Sequence, residues 1–114
     1  MVQPTTRPLV SGTPASPGTA TGRARVYRGG PAEVELTAGD ILVTVITDPL
    51  SFADMIEHAA ALVTDRGGLA SHPAILAREL GIPCVVGTQI GTEVIRDGMR
   101  IVVDGATGAV HAVD

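Results

Sequence analysis

Three short runs of apolar, largely β-branched residues occupy the middle of the chain, at residues 41–47, 61–64 and 83–87. Their nearly continuous hydrophobicity predicts strands buried on both faces. Between the runs, apolar positions at helical spacing predict helices over residues 50–60 and 71–80. This order of strand, helix, strand, helix and strand is typical of parallel strands joined by right-handed crossovers, and it predicts an α/β domain.

Shorter β patterns flank this centre. Residues 23–27 alternate between polar and apolar side chains, and residues 100–103 and 109–113 are joined through two glycines. They predict a strand and a hairpin, which together suit a small second β layer.

The N-terminal part is less regular. Residues 9–22 are rich in Gly, Pro, Ser and Thr, which is typical of a loop or linker, although such small residues could also pack closely against another segment. Residues 1–8 are polar with two prolines and predict a flexible arm, so we expect one domain over residues 9–114.

Composition then excludes several classes of function. The chain of 114 residues has 8 basic residues, all of them Arg, and 12 acidic ones, for a net charge of -4. This balance argues against DNA binding, and 2% aromatic residues argue against a stacking surface for single-stranded nucleic acid. Without Lys there is no phosphate-loop lysine and no Schiff base.

The remaining counts bear on metals, membranes and location. The single Cys argues against a disulfide framework, and the three histidines are too far apart in sequence for a typical metal site, so we expect none. No leader pattern opens the chain, and no apolar run approaches the roughly 20 residues that span a bilayer. We therefore expect a cytoplasmic protein that does not bind membranes.

Candidate chemistry is concentrated in residues 64–88, TDRGGLASHPAILARELGIPCVVGT. Ser71 and His72 fall at the start of a predicted helix, where unpaired N–H groups and the positive end of the helix dipole favour an anion such as phosphate. Gly67 and Gly68 would let a phosphorylated partner approach the backbone. The pattern alone leaves two interpretations of His72 open: a nucleophile or anion contact, or a histidine that caps or packs at a helix start.

This stretch resembles the phosphohistidine, or swivelling mobile, domain of the phosphoenolpyruvate-utilising enzymes, a family that includes pyruvate phosphate dikinase, phosphoenolpyruvate synthase, enzyme I and rifampicin phosphotransferase. The resemblance covers about residues 9–113 and implies a swivelling β/β/α domain: a central, partly parallel sheet with crossover helices and a small flanking β layer. It includes residues 15–26 (ASPGTATGRARV), 39–49 (GDILVTVITDP) and 97–110 (DGMRIVVDGATGAV).

The resemblance also implies roles for individual residues. His72 stands where the family's histidine accepts and donates a phosphoryl group. Thr47 matches a threonine that orients the imidazole in some members. Ser71, Gly67 and Gly68 match the loop that supports the approach of the phosphate.

Two arginines are further candidates for the site, and two nearby positions differ from the family pattern. Arg78 matches the motif's arginine, which implies either phosphate contact or helix anchoring. Arg66 could contact phosphate or a partner, or form an ion pair with Asp65. Ala70 stands where the family often has a hydroxyl residue, and Pro73 stands where a small residue is common.

Together these features predict a phosphoryl carrier, a phosphotransferase component that is active only with a partner. His72 would carry the group between a donor, ATP or phosphoenolpyruvate, and an acceptor, both bound by partner subunits or domains. We expect Mg²⁺ on the partner and no cofactor on this chain, because 114 residues hold neither a nucleotide-binding domain nor a barrel of roughly 250 residues. The alternatives are a non-catalytic docking module, suggested by Ala70 and Pro73, and a small-molecule anion-binding protein.

Overall fold

The computed structural model describes residues 8–27, 36–45 and 56–113. In this part of the chain, eight strands form one mixed sheet in the order β1-β8-β7-β3-β4-β5-β6-β2. Two helices, both within the described residues 56–113, accompany the sheet. The elements are β1 (Val10–Ser11), β2 (Thr13–Ser16), β3 (Thr19–Tyr27), β4 (Asp40–Thr44), β5 (Ala59–Thr64), α1 (His72–Leu80), β6 (Cys84–Val86), α2 (Gly91–Val94), β7 (Arg100–Asp104) and β8 (Ala109–Ala112).

The centre of the sheet is parallel, as predicted. Strands β3, β4, β5 and β6 pair in parallel, so that Leu62 of β5 lies between Leu42 of β4 and Cys84 of β6. Helix α1 is the crossover from β5 to β6. Strand β5 begins at Ala59, two residues before the predicted strand, and most of the helix predicted before it lies outside the described residues.

The second β layer is also present, and β3 links it to the first. Its residues 19–23 pair antiparallel with β7, whereas residues 24–27 pair in parallel with β4. Strands β7 and β8 form the predicted hairpin.

The prediction of a loop over residues 9–22 is wrong, since this segment forms β1, β2 and the first half of β3. The two edges of the sheet meet here, because β1 pairs with β8, β2 pairs with β6, and only Gly12 separates β1 from β2. The Gly12 N–H donates to the Gly108 carbonyl at 2.8 Å, and a Cβ on Gly12 would lie 2.4 Å from the Val86 carbonyl oxygen. The small residues of this segment thus pack closely against other strands, which was the alternative to a loop.

Alternate residues of the central strands face two separate cores. Ile41 and Val43 point toward the second β layer, whereas Leu42 points toward α1, as the two-residue period of a strand requires. The chain therefore has the β/β/α layering of the predicted fold class. The core beneath α1 is formed by Ala15, Leu42, Ile56, Ala59, Leu62, Ala74, Ala77, Cys84 and Val86.

Two further predictions concern Cys84 and the termini. Cys84 is fully buried, and this burial raises the pKa of its thiol to about 12, in keeping with a small apolar filler. The predicted arm, residues 1–8, lies outside the described residues except for Pro8. Within the described ranges, no helix is long and apolar enough to span a bilayer.

Candidate functional site

His72 is the first residue of α1 and its side chain is exposed. The segment between the end of β5 and this helix, Asp65–Ser71, is called the histidine loop below. It leaves the carboxyl end of a central parallel strand, the usual position of ligand sites in open α/β sheets. Pro73 is buried in the first turn of α1, where its missing N–H does not interrupt the helix, and Gly81 ends the helix at φ 74°.

Ser71 occupies the predicted N-cap position, but its hydroxyl does not cap the helix. Its Oγ donates to the Gly68 carbonyl at 2.6 Å, and its backbone N–H donates to the same oxygen at 3.0 Å. Both bonds close a tight turn immediately before His72. Ser71 therefore shapes the loop rather than satisfying the N–H groups of the helix.

The two predicted glycines have different structural roles. Gly67 adopts φ +112°, and a Cβ there would lie 2.9 Å from Ser71 Oγ, so the loop conformation requires glycine. Gly68 is exposed, and a Cβ on it would have no atom within 4 Å. The space beside Gly68 is therefore open.

Asp65 does not form the ion pair with Arg66 that the sequence left open. Its carboxylate is buried and accepts hydrogen bonds from the Thr92 N–H at 2.9 Å and the Thr92 hydroxyl at 2.6 Å. Thr88 makes a second contact near Asp65: its hydroxyl donates to the carbonyl of Thr64, the last residue of β5, at 3.0 Å. Thr92 and Thr88 were missed because only the folded chain brings the loop after β6 beside the histidine loop.

The two candidate arginines differ in what they contact. Arg66 is exposed, and its backbone N–H donates to the Val45 carbonyl. Arg78 uses both terminal nitrogens of its guanidinium: Nη1 donates to the Ala15 carbonyl at 2.9 Å and Nη2 to the Leu69 carbonyl at 2.6 Å. Arg78 therefore binds the histidine loop and β2 at the same time.

The described residues thus bring Gly67, Gly68, Ser71 and Arg78 around the start of α1. Thr47 lies outside the described residues. Among the residues that the structure describes, no group of three or more His, Cys, Asp or Glu side chains is placed so that it could hold a metal ion. The arrangement offers an exposed imidazole beside an open backbone, at the positive end of a nine-residue helix.

Known proteins are similar to this chain over most of its length. The model of the family described as "PEP-utilising enzyme, mobile domain" matches residues 36–108. The phosphoenolpyruvate synthase of Aeropyrum pernix is 50% identical over 105 residues, which cover 91% of this chain and 13% of that protein. The rifampicin phosphotransferase of Streptomyces sviceus is 52% identical over 100 residues, which cover 88% of this chain and 11% of that protein.

A solved structure shows the same relationship. The solution structure of an Enzyme I protein superposes with a TM-score of 0.60 at 34% identity, covering 70% of this chain and 32% of that one. The chain therefore corresponds to a small part of each of these proteins.

Proposed function

Because the chain belongs to the mobile-domain family of PEP-utilising enzymes, we propose that it is a phosphoryl carrier whose carrier group is His72. The observation that carries this proposal is the position of His72: exposed, at the first residue of α1, directly after a glycine-containing loop. A histidine that only packed at a helix start would be covered by neighbouring side chains.

The chemistry needs one nucleophilic nitrogen. The lone pair of a neutral imidazole nitrogen forms a P–N bond to the phosphorus, and the P–O bond to the donor's leaving oxygen breaks, leaving the electron pair on that oxygen. In the second transfer an acceptor oxygen forms a new P–O bond. The P–N bond then breaks and returns its electron pair to the imidazole.

The start of α1 stabilises the negative charge of a phosphoryl group on His72. A helix N-terminus carries roughly half a positive elementary charge, which stabilises a phosphoryl group by about 0.3–1 kcal/mol at an exposed position. No acidic residue lies in the first turn to oppose it. Pro73 removes one N–H from this turn without distorting it, so the departure from the family pattern leaves the nucleophile in place.

The remaining chemistry belongs to partners. We propose that donor and acceptor are bound by other subunits or domains, with ATP or phosphoenolpyruvate as donor and Mg²⁺ held there. Similarity to a phosphoenolpyruvate synthase favours pyruvate as an acceptor, and similarity to a rifampicin phosphotransferase favours an antibiotic hydroxyl. The transfer steps above use no metal ion on this chain.

A chimeric enzyme tests the proposal. The segment of the Aeropyrum pernix phosphoenolpyruvate synthase that aligns with this chain is replaced by the full chain, so that the relative's other domains supply the donor site. We expect incubation with ATP labelled in its β and γ phosphates to give about one labelled phosphoryl group per chain, stable in base and labile in acid as a P–N bond requires.

Two histidine variants make this result specific. His72→Asn should abolish the label, whereas His58→Asn, which removes another exposed histidine, should leave it unchanged. Label that persists in the His72→Asn chimera, or no label in the unsubstituted chimera although it is folded, would refute the carrier function.

A further inference from the structure

Arg78 lies nearly two helical turns after His72, yet its side chain reaches back to the loop that precedes the helix. The six residue steps from His72 to Arg78 separate their Cα atoms by about 9 Å along the helix axis, and helical side chains point toward the N-terminus. The Arg78 guanidinium contacts Leu69 in the histidine loop and Ala15 in β2. It therefore joins α1 to the loop that directly precedes it and to β2, which lies 63 residues away in sequence.

The two contacts fix the guanidinium in one place. Because the group is planar and rigid, bonds from Nη1 to one carbonyl and from Nη2 to another define both its position and its tilt. Each terminal nitrogen thus gives one of its two N–H groups to a backbone carbonyl of this chain, so that two of the five N–H donors of the guanidinium hold the side chain in place. The contacts that the structure shows for the Arg78 guanidinium are therefore anchoring contacts.

The histidine loop depends on this anchor at its C-terminal end. The Leu69 side chain is 55% exposed, so burial contributes little to holding this residue, while its carbonyl accepts the 2.6 Å bond from Arg78. At the N-terminal end of the loop, the buried Asp65 carboxylate is held by Thr92. The loop is therefore fixed at both ends, and His72 follows it directly.

We propose that Arg78 is a positioning residue for phosphoryl transfer: by tying Leu69 to β2 it holds the histidine loop, and with it the direction of the His72 imidazole, without contacting the phosphoryl group. The effect on rate rests on the proposed carrier function, whereas the effect on the loop does not. Displacement of a reacting group by about 1 Å can slow a reaction about 100-fold.

The rate is measured by single-turnover phosphorylation of the chimeric enzyme at several ATP concentrations. We expect Arg78→Gln to lower the maximal rate about 100-fold with the half-saturating ATP concentration unchanged. Arg78→Lys should retain more of the rate, because an ammonium group can still donate to one of the two carbonyls. A wild-type rate for Arg78→Gln, or a rise in the half-saturating concentration alone, would overturn the proposal.

Arg23→Gln is the matched control. Arg23 also donates through two nitrogens, to the Asp40 carboxylate, but Asp40 begins β4, at the opposite end of the parallel strands from the histidine loop. This variant loses an arginine and two hydrogen bonds without touching the loop, so its rate should equal that of the wild type. A rate loss in Arg23→Gln as large as in Arg78→Gln would show a general structural effect and overturn the positioning role.

Amide hydrogen exchange in the 114-residue chain tests the loop separately. The Ser71 amide donates to the Gly68 carbonyl, and the Ile75 amide donates to the Ser71 carbonyl. In Arg78→Gln we expect both amides to exchange at least about 10-fold faster, with the Val63 amide of β5 unchanged. Unchanged Ser71 and Ile75 exchange would refute the anchoring even if the unsubstituted chimera carried no phosphate, so the two proposals fail in distinguishable ways.

Discussion

The buried carboxylate of Asp65 accepts two hydrogen bonds from Thr92, one from its backbone N–H at 2.9 Å and one from its hydroxyl at 2.6 Å. The two residues are 27 positions apart in sequence, Asp65 in the histidine loop and Thr92 in α2. Through this pair, the start of the histidine loop is fixed to the first turn of α2. The relationship ties the candidate site to the rest of the fold.

Removing one of these bonds should destabilise the protein. Thr92→Val keeps the shape of the side chain but leaves the buried Asp65 carboxylate with one fewer donor. We expect the free energy of unfolding to fall by about 1–3 kcal/mol, as measured by urea denaturation. Thr21→Val, at an exposed position of β3, is the control, since it should change stability by less than about 0.5 kcal/mol. Equal stability of Thr92→Val and the wild type would show that the bond is dispensable.

The two glycines of the histidine loop should respond differently to alanine. Gly67→Ala forces a side chain into φ +112° and toward Ser71 Oγ, and we expect a loss of about 1–3 kcal/mol in the free energy of unfolding. Gly68→Ala meets open space and should change it by no more than about 0.5 kcal/mol. Denaturation of both variants side by side tests the loop conformation, and the reverse order of stabilities would contradict it.

Acid should destabilise the protein partly through Asp40. Burial alone would raise the pKa of this carboxyl, but hydrogen bonds from Arg23 and from Thr37 bring its pKa below the ordinary value. A carboxyl with a lower pKa in the folded state stabilises the fold above its unfolded pKa, and this contribution is lost as the pH falls through the folded value. The loss should therefore set in below about pH 4.

An Asp40→Asn variant isolates this contribution. It should be less stable than the wild type near neutral pH, and the difference should shrink as the pH falls below about 4, because only the wild type loses an ionised Asp40. Urea denaturation of both proteins across this range measures the difference. The lowered pKa values of Asp97 and Asp104 are common to both proteins and cancel. A constant difference at all pH values would exclude this role of the Asp40 carboxylate.

The sequence predicted those features that local pattern determines. Residues 41–44 of the apolar run form β4 together with Asp40, and residues 46 and 47 lie outside the described part of the chain. The helix predicted over residues 71–80 is present as α1, which ends at Gly81, and the predicted hairpin of β7 and β8 is confirmed. The Gly- and Pro-rich composition of residues 9–22 led to the wrong prediction of a loop. These residues form strands instead, and the lack of a side chain at Gly12 lets β1 and β2 lie close to distant backbone.

The site was less accessible from sequence, because its supporting contacts are non-local. Arg78 lies 63 residues from Ala15, and the hydrophobic periodicity of the sequence gives no sign of the hydrogen bond between them. The position of His72 at a helix start could be predicted, since capping patterns are local, whereas the two anchors of its loop depend on the fold. The roles assigned to His72, Thr47 and Arg66 stay predictions.

A pulse and chase on the chimeric enzyme tests the central claim most directly, since a carrier must both accept and release its group. The chimera is phosphorylated with labelled ATP, freed of nucleotide and mixed with pyruvate, and the phosphate on the peptide containing His72 is followed by mass spectrometry. We expect this phosphate to disappear in a single turnover while an equal amount of labelled phosphoenolpyruvate forms. Phosphate that stays on His72 while the product appears, or product formed equally well by the His72→Asn chimera, would contradict the account.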